Sequence, residues 1–553
     1  MKHFTLYILC SACINMACAQ INQDAKDWQE DLLFLQKTVH QDYDFLFKKI
    51  EAAQFDAEIE KLHQAIPKLE EHEIIVGFSR IVSLFQYGHT AMGLSGWYER
   101  KPIDFDQMPF NLYHFNDGIY VQGVHKNYQN ALGAKVLKVE GLAVEQALKA
   151  IRPVVPVEND QYFKAYGLTY LGTPQVLHAQ GVTKELKKTV TLSLEKDGTP
   201  FDVTFNPFEI DKFPGQYSLI KEEGDWLDAR DESEDPLYLK NLERIYFYEY
   251  LPESKSLYVR HSQIQDDPEE SIPEFYQRVF EFIENNEVER LVLDVRLNGG
   301  GNNYKNKPIV TGIISSEKIN QVGKLYVLIG RRTFSACQNL VNELDNYTEA
   351  IFVGEPTSEN INFFGDNRRV ELPNSKIPVR LSFAWWQDKP PWENADWLAP
   401  HLAVDMSFEE YRTNQDPVLE AALNFSDDSF IIDPVQHLTE LFSAGKMEEL
   451  EVEAKRMVNE PAYKFVNFNS QINGAGYNLL GSGRVKEAIY VFELNTKLFP
   501  ESANAWDSLA EGFWKADQTE KAIQYYNKAI EMDPDGPTGD NARNMLKEIA
   551  SGH

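Results

Sequence analysis

Between residues 273 and 357 the sequence alternates helix-like and strand-like patterns. "PEFYQRVFEFI" leads to the apolar run "RLVLDV" and the loop "RLNGGGNN". "KLYVLIG" then leads to an amphipathic helix starting at Ser335, and "AIFVG" leads to "EPTSEN". Short apolar runs joined through helices restrict this stretch to an α/β layer with a mainly parallel sheet. Ligands of such sheets bind in the loops beyond the strand carboxyl ends, so those three loops are where chemistry is expected.

The chain has 553 residues, too many for one core, and its composition (43 % hydrophobic, 25 % charged) supports several without disulfides or metals. A formal net charge of −31 argues against nucleic acid, which requires a basic surface, and against anionic lipid. The start, "MKHFTLYILCSACINMACAQ", has an early Lys, an apolar run and small residues at Ala17 and Ala19. It reads as a secretory signal over 1–19, with acylation at Cys13 or Cys18 as the alternative. Later segments lack the ~20 apolar residues of a membrane span. With Cys10, Cys13 and Cys18 in the signal, the mature chain keeps only Cys337 and no internal disulfide.

Residues 20–98 read as a helical N-terminal domain. Trp28, Leu32, Leu35, Val39 and Leu46 recur at helical spacing between Asp27 and Ile50, and a second helix ends at "QYGHTAM", with Gly88 as its cap. Residues 103–206 are rich in short strands: a strand, a Gly141 turn and a helix in "ALGAKVLKVEGLAVEQALKAI", then a hairpin turning at Asp197-Gly198. The α/β unit covers 240–430. In 434–553, two helical segments superimpose at a period of 34, Ala488 on Ala522, Phe492 on Tyr526 and Pro500 on Pro534, which is the tetratricopeptide pattern, a surface for a protein partner.

Ser335 stands at a strand-to-helix turn, where the first free N–H groups of a helix face any ligand. Alone, it reads as a helix N-cap. As an acyl-transfer nucleophile it would have the Ala336 N–H beside it for an oxyanion. The Gly299-Gly300-Gly301 run lets backbone approach a ligand closely, and Gly299 or Gly300 can give a second N–H, with Arg296 and Asn298 pinning the loop. The glycines are not followed by Lys and Ser/Thr at phosphate-loop spacing. Of twelve histidines, His89 lies in a short Gly-containing turn from which it can reach another domain. The sequence contains no "H-E-x-x-H" and no Cys/His cluster, so neither metal nor cofactor is expected.

Together these pieces resemble the carboxy-terminal-processing (tail-specific) serine peptidases, in their tricorn-core-like branch. That family has a "D-x-R-x-N-x-G-G" loop, a "T-x-S-A" turn and a "G-E-x-T" strand end. Here they read Asp294 to Gly300, Thr333 to Ala336 and Gly354 to Thr357. The resemblance spans roughly 20–430 and implies a PDZ-like module over 103–206, to which "ALGAKVLKVEGLAVEQAL" is similar, and an α/β serine peptidase core. One branch uses a Lys shortly after "G-E-x-T"; "GEPTSENINFFGDN" has none. The other uses Ser, His and an acid, which implies Ser335 as nucleophile and His89 as base. Glu393 is the implied acid, with Asp396 its rival, and Gly299, Gly300 and Ala336 the oxyanion hole. The "D-G-H-T" Asp is replaced by Tyr87, and His401 follows Pro400 where an Asp is usual. The reading is thus an exported serine endopeptidase, periplasmic or extracellular, acting on unfolded chains or peptides. The alternatives are an inactive peptide-binding scaffold and a binder of lipophilic ligands lined by "FAWWQDKPPW".

Overall fold

The computed structural model describes residues 24–94, 103–207, 214–231, 233–425 and 430–551. The expected signal, with Cys10, Cys13 and Cys18, lies outside the described residues. Three helices come first among those described: Ala25–Asp42, Ala52–Ala65 and Glu71–Ser83. Asp24 caps the first by accepting from the Asp27 N–H at 2.9 Å. Trp28, Leu32, Leu35 and Val39 are buried along one face of it. This helix stops at Asp42 because Tyr43 leaves the helical region (φ −138°), and Leu46 sits in a separate 3₁₀ turn, Asp44–Leu46. The third helix begins with a Glu70/Glu73 capping box. Its end is not capped by Gly88, as sequence suggested. The chain leaves the helix at Leu84, and Gln86 takes the positive φ (54°).

The β-rich region that follows is an antiparallel sheet in the order 110–115, 118–125, 135–139, 190–196, 199–205. Asp197 (φ 52°) and Gly198 (φ 72°) make the two-residue turn of its last hairpin, the geometry Asp-Gly favours. Helices and sheet share one apolar cluster, which also takes in the hairpin Phe363–Glu371/Pro378–Trp386.

The α/β layer is a sheet in the order 246–251, 256–261, 290–294, 325–329, 351–354, 402–403. The first pair is antiparallel and all others are parallel. Every residue of Leu325–Ile329 is at most 1 % exposed, each such side chain stabilising the core by roughly 1.5–3 kcal/mol. Helices Ile272–Asn285, Lys307–Ser315 and Ala336–Tyr347 cover one face, and Pro417–Leu423 the other. The parallel strands therefore end together, and the loops after 294, 329 and 354 meet at one edge.

Among the described residues, seven α-helices between 434 and 551 form the C-terminal stretch. Ala488 and Phe492 on one, and Ala522 and Tyr526 on another, are buried at matching positions. Among the described residues no helix is long and apolar enough to cross a membrane.

Candidate active site

Ser335 precedes the helix Ala336–Tyr347 with φ 58° and ψ −128°, and its side chain makes no capping bond. A β-carbon-bearing residue holds such a backbone only when its surroundings impose it. Two neighbours do so. Gly300 (φ 96°) lies directly behind it; a Cβ on Gly300 would come 2.6 Å from Ser335 Cβ and 2.8 Å from the Ala336 nitrogen, so only glycine fits. Opposite, the Ser335 N–H donates to Glu359 Oε2.

The glycine loop is fixed by the residues before it. Arg296 donates to Asp416 through both Nη1 (2.7 Å) and Nη2 (3.0 Å) and pairs with Asp294 at 2.9 Å. Tyr258 donates to Asp294 at 2.7 Å. Asn298 donates to the His261 carbonyl (2.9 Å), and its own carbonyl accepts the Phe334 N–H (3.1 Å), tying this loop to the serine turn. Its side-chain oxygen also accepts the Gly300 N–H at 3.0 Å. That bond occupies the Gly300 donor, one of the three expected at the oxyanion hole. Gly299 is exposed, its N–H has no partner among the described residues, and nothing would meet a Cβ built on it within 4 Å. The Ala336 N–H, at the first helical position, is the other free donor beside Ser335.

His89 reaches the site from the N-terminal helices. Its turn is stitched to the hairpin: Thr90 Oγ1 donates to Ser382 Oγ at 2.8 Å, and Ala91 pairs with Arg380. Gly88 is required for packing, since a Cβ there would lie 2.4 Å from Tyr162 and 2.9 Å from Phe334. The imidazole stacks between Phe334 (centroids 4.8 Å, 20°) and Phe363 (6.4 Å, 14°). Burial in this slot pushes its pKa down to about 4.

The carboxyl beside His89 is Glu359, whose Oε1 lies 3.4 Å from Nε2. It is wholly buried. Burial, and then the Glu158 carboxylate, hold its pKa well above the ordinary value. Glu158 accepts the Gly88 N–H (3.0 Å) and the Asn360 N–H (2.9 Å). Burial also raises its pKa, against the opposing pull of Lys49. Lys49 donates to Asn360 Oδ1 and, at 2.8 Å, to the Gln86 carbonyl. No hydrogen bond joins Ser335 Oγ to His89, and among the described residues both Nε2 of His89 and Oε1 of Glu359 are buried without a hydrogen-bond partner.

Glu393 and Asp396, the carboxylates expected from sequence, lie on the exposed turn after Pro390. Neither side chain contacts His89. Asp396 contributes its backbone carbonyl, which accepts from Asn159 (2.7 Å) and Asn360 (2.9 Å). Here a solvated turn carries the two acids the resemblance implied, while the carboxyl that faces His89 is the buried Glu359. Glu359 lies in "GEPTSEN", two residues after the G-E-x-T strand end. His401 accepts the Phe352 N–H through Nδ1 at 3.0 Å and is a structural residue. Among the described residues no cluster of His, Cys, Asp or Glu suits a metal ion.

No protein-family model matches the chain, and no curated protein matches it. Solved structures do. A point mutant of CPAF superimposes with a TM-score of 0.51 at 12 % identity, covering 74 % of this chain and 99 % of that one. Over that span the chain shares the fold of CPAF. Looser matches are the photosystem II D1 C-terminal processing protease (TM-score 0.31, 12 % identity, 68 % of this chain and 93 % of that one) and the tricorn protease (0.35, 13 %, 72 % and 36 %). The fold assignment rests on the first of these.

Proposed function

We propose that the protein is a serine endopeptidase in which Ser335 is the nucleophile, His89 the general base and Glu359, in place of Glu393, the acid. The observation carrying this reading is Ser335 itself: a strained serine at a strand-to-helix turn whose hydroxyl does not cap the helix. In the reaction, Ser335 Oγ adds to the peptide carbonyl as His89 takes its proton. The Gly299 and Ala336 N–H groups receive the oxyanion. His89 then returns the proton to the leaving amine, and water repeats the cycle on the acyl-enzyme. A half-turn of the imidazole about Cβ–Cγ keeps the ring in its Phe334/Phe363 slot, exchanges Nδ1 with Cδ2 and Nε2 with Cε1, and so turns the Nδ1 edge of the ring toward Glu359.

On this reading the sheet of 103–206 is a PDZ-like module presenting extended peptide. The helices of 434–553 are tetratricopeptide-like and recruit a protein partner. The protein is exported through its first 19 residues and acts on peptides or unfolded chains, with no cofactor. A second reading, an inactive peptide-binding scaffold, is favoured by the missing Ser335–His89 hydrogen bond. Casein hydrolysis by the mature chain, beside Ser335→Ala and His89→Ala, decides between them. Cleavage lost in both variants is the expected result; an inert wild type refutes the peptidase reading.

A further inference from the structure

A cavity of about 580 Å³ opens next to the serine turn, between the end of the N-terminal helices, the β-rich region and the hairpin. Gly88, the neighbour of His89, forms part of its wall, and so does Arg332, three residues before Ser335. Its charged lining is Lys164, Arg332, Arg369 and Arg380, and no Asp or Glu lines it among the described residues. In a chain with 85 acidic and 54 basic residues, a lining of average composition would hold more carboxylates than cations. This cavity inverts that balance.

The cations are also under-compensated. Among the described residues Arg332 makes no ion pair; Nη1 donates to Ser218 Oγ at 2.5 Å, the guanidinium lies 4.8 Å from the Tyr166 ring centre, and Nε is buried with no hydrogen-bond partner. Lys164 and Arg380 likewise form no salt bridge among the described residues, and Arg369 has only an exposed contact with Glu371 at 3.8 Å. Burial first, and then Arg331, lower the Lys164 pKa against the opposing pull of Glu355, Asp405 and Asp160, a pull to which a bound anion would add. Arg369 and Arg380 are exposed, whereas Lys164 and Arg332 are half-buried, and a cation partly withdrawn from water without a counter-charge is costly unless an anion arrives.

We infer that this cavity is the substrate subsite for acidic side chains, so that the enzyme selects peptides carrying Asp or Glu beside the scissile bond. The inference rests on the peptidase reading for its placement relative to the bond cleaved, but not for the binding itself. Four cations spread over such a volume exceed what a single terminal carboxylate compensates, which points to side chains. Electrostatic complementarity of this kind selects partners and speeds encounter.

The test uses the full chain carrying Ser335→Ala, so that binding is read without turnover. The probes are labelled peptides blocked at both ends, one Glu-rich, one with Gln in place of Glu and one with Lys. Fluorescence anisotropy is expected to give the Glu-rich peptide at least about tenfold tighter binding than its Gln counterpart, as for hydrogen bonds to charged groups. At roughly 1 M salt, where the screening length is about 3 Å, the preference should shrink severalfold. Lys164→Gln and Arg380→Gln should each lower affinity for the Glu peptide and leave that for the Gln peptide unchanged. Arg332→Gln should have the largest effect. Equal binding of Glu and Gln peptides overturns the inference. So does a preference that survives all three substitutions, or capture only of a neutral peptide with a free carboxyl end. If the charge-dependent binding appears while wild type cleaves nothing, the inference stands and the peptidase reading falls. If wild type cleaves but binding shows no acidic preference, the peptidase reading stands and the inference falls.

Discussion

Replacing Glu359 by Gln tests which carboxyl serves His89. The substitution preserves side-chain size and an oxygen for the Ser335 N–H, and removes only the ionisable group. On the proposed mechanism His89 takes the serine proton and becomes a cation between two phenylalanine rings. A carboxylate at 3.4 Å is the group that offsets that charge. A hydrogen bond to a charged partner contributes about 1.5–3 kcal/mol, and each ~1.4 kcal/mol of barrier is tenfold in rate. Glu359→Gln should therefore lower kcat about 10- to 100-fold, read by hydrolysis of an unstructured protein. Glu393→Gln, on an exposed turn, should stay within about twofold, as surface changes do. Stability supplies an independent readout. The Glu359 pKa is raised on folding, so its contribution is complete below the unfolded value and is lost as pH rises through the folded one. Wild type should thus lose melting temperature relative to Glu359→Gln on the alkaline side. Full activity in Glu359→Gln with collapse in Glu393→Gln would refute the assignment.

Four further outcomes follow from the same geometry. With the His89 pKa lowered to about 4 by burial, the free enzyme keeps a neutral base across the neutral range, so kcat/KM should be flat from pH 7 to 5 and fall near 4. Over the same window, between the ordinary 6.5 and the folded value, stability should drop on acidification in wild type and less so in His89→Ala, measured by thermal unfolding. Gly300→Ala would place a Cβ 2.6 Å from Ser335 Cβ at φ 96°, and displacement of the nucleophile should reduce kcat/KM about 100-fold. Asp416→Ala leaves the buried Arg296 with Asp294 alone and should cost about 3 kcal/mol in urea unfolding, the low end for breaking a buried pair.

What the sequence made legible was local. The switch between helical and strand periods around 290–354 marks the parallel sheet because side chains there must be buried on both faces. The Asp197-Gly198 turn was readable because two successive positive φ values favour those residue types. Gly88 shows where local reading stops. A glycine after a helix reads as a cap, but this one makes room for Tyr162 and Phe334, which lie 74 and 246 residues further along the chain. The carboxyl that meets His89 was obscured for the same reason. The resemblance pointed to Glu393 and Asp396, but a carboxyl acts most strongly on a histidine when both are withdrawn from water, and burial at Glu359 depends on separate segments of the chain meeting.

That meeting also answers why a serine holds φ 58° without glycine's freedom. Strain at such a position is of the order of 1–3 kcal/mol, and a hydrogen bond from a backbone N–H to a carboxylate contributes a comparable amount. One oxygen of Glu359 accepts the Ser335 N–H and the other faces His89. On the proposed mechanism, the group that sets the charge balance at His89 therefore also holds the Ser335 backbone in its positive-φ conformation. Its two roles separate by chemistry: Gln retains the acceptor and loses the charge, whereas Ala loses both. Glu359→Ala should then fall below Glu359→Gln in activity by the amount that misplacing Ser335 costs. Equal losses in the two variants would mean that Gly300 alone holds the serine turn.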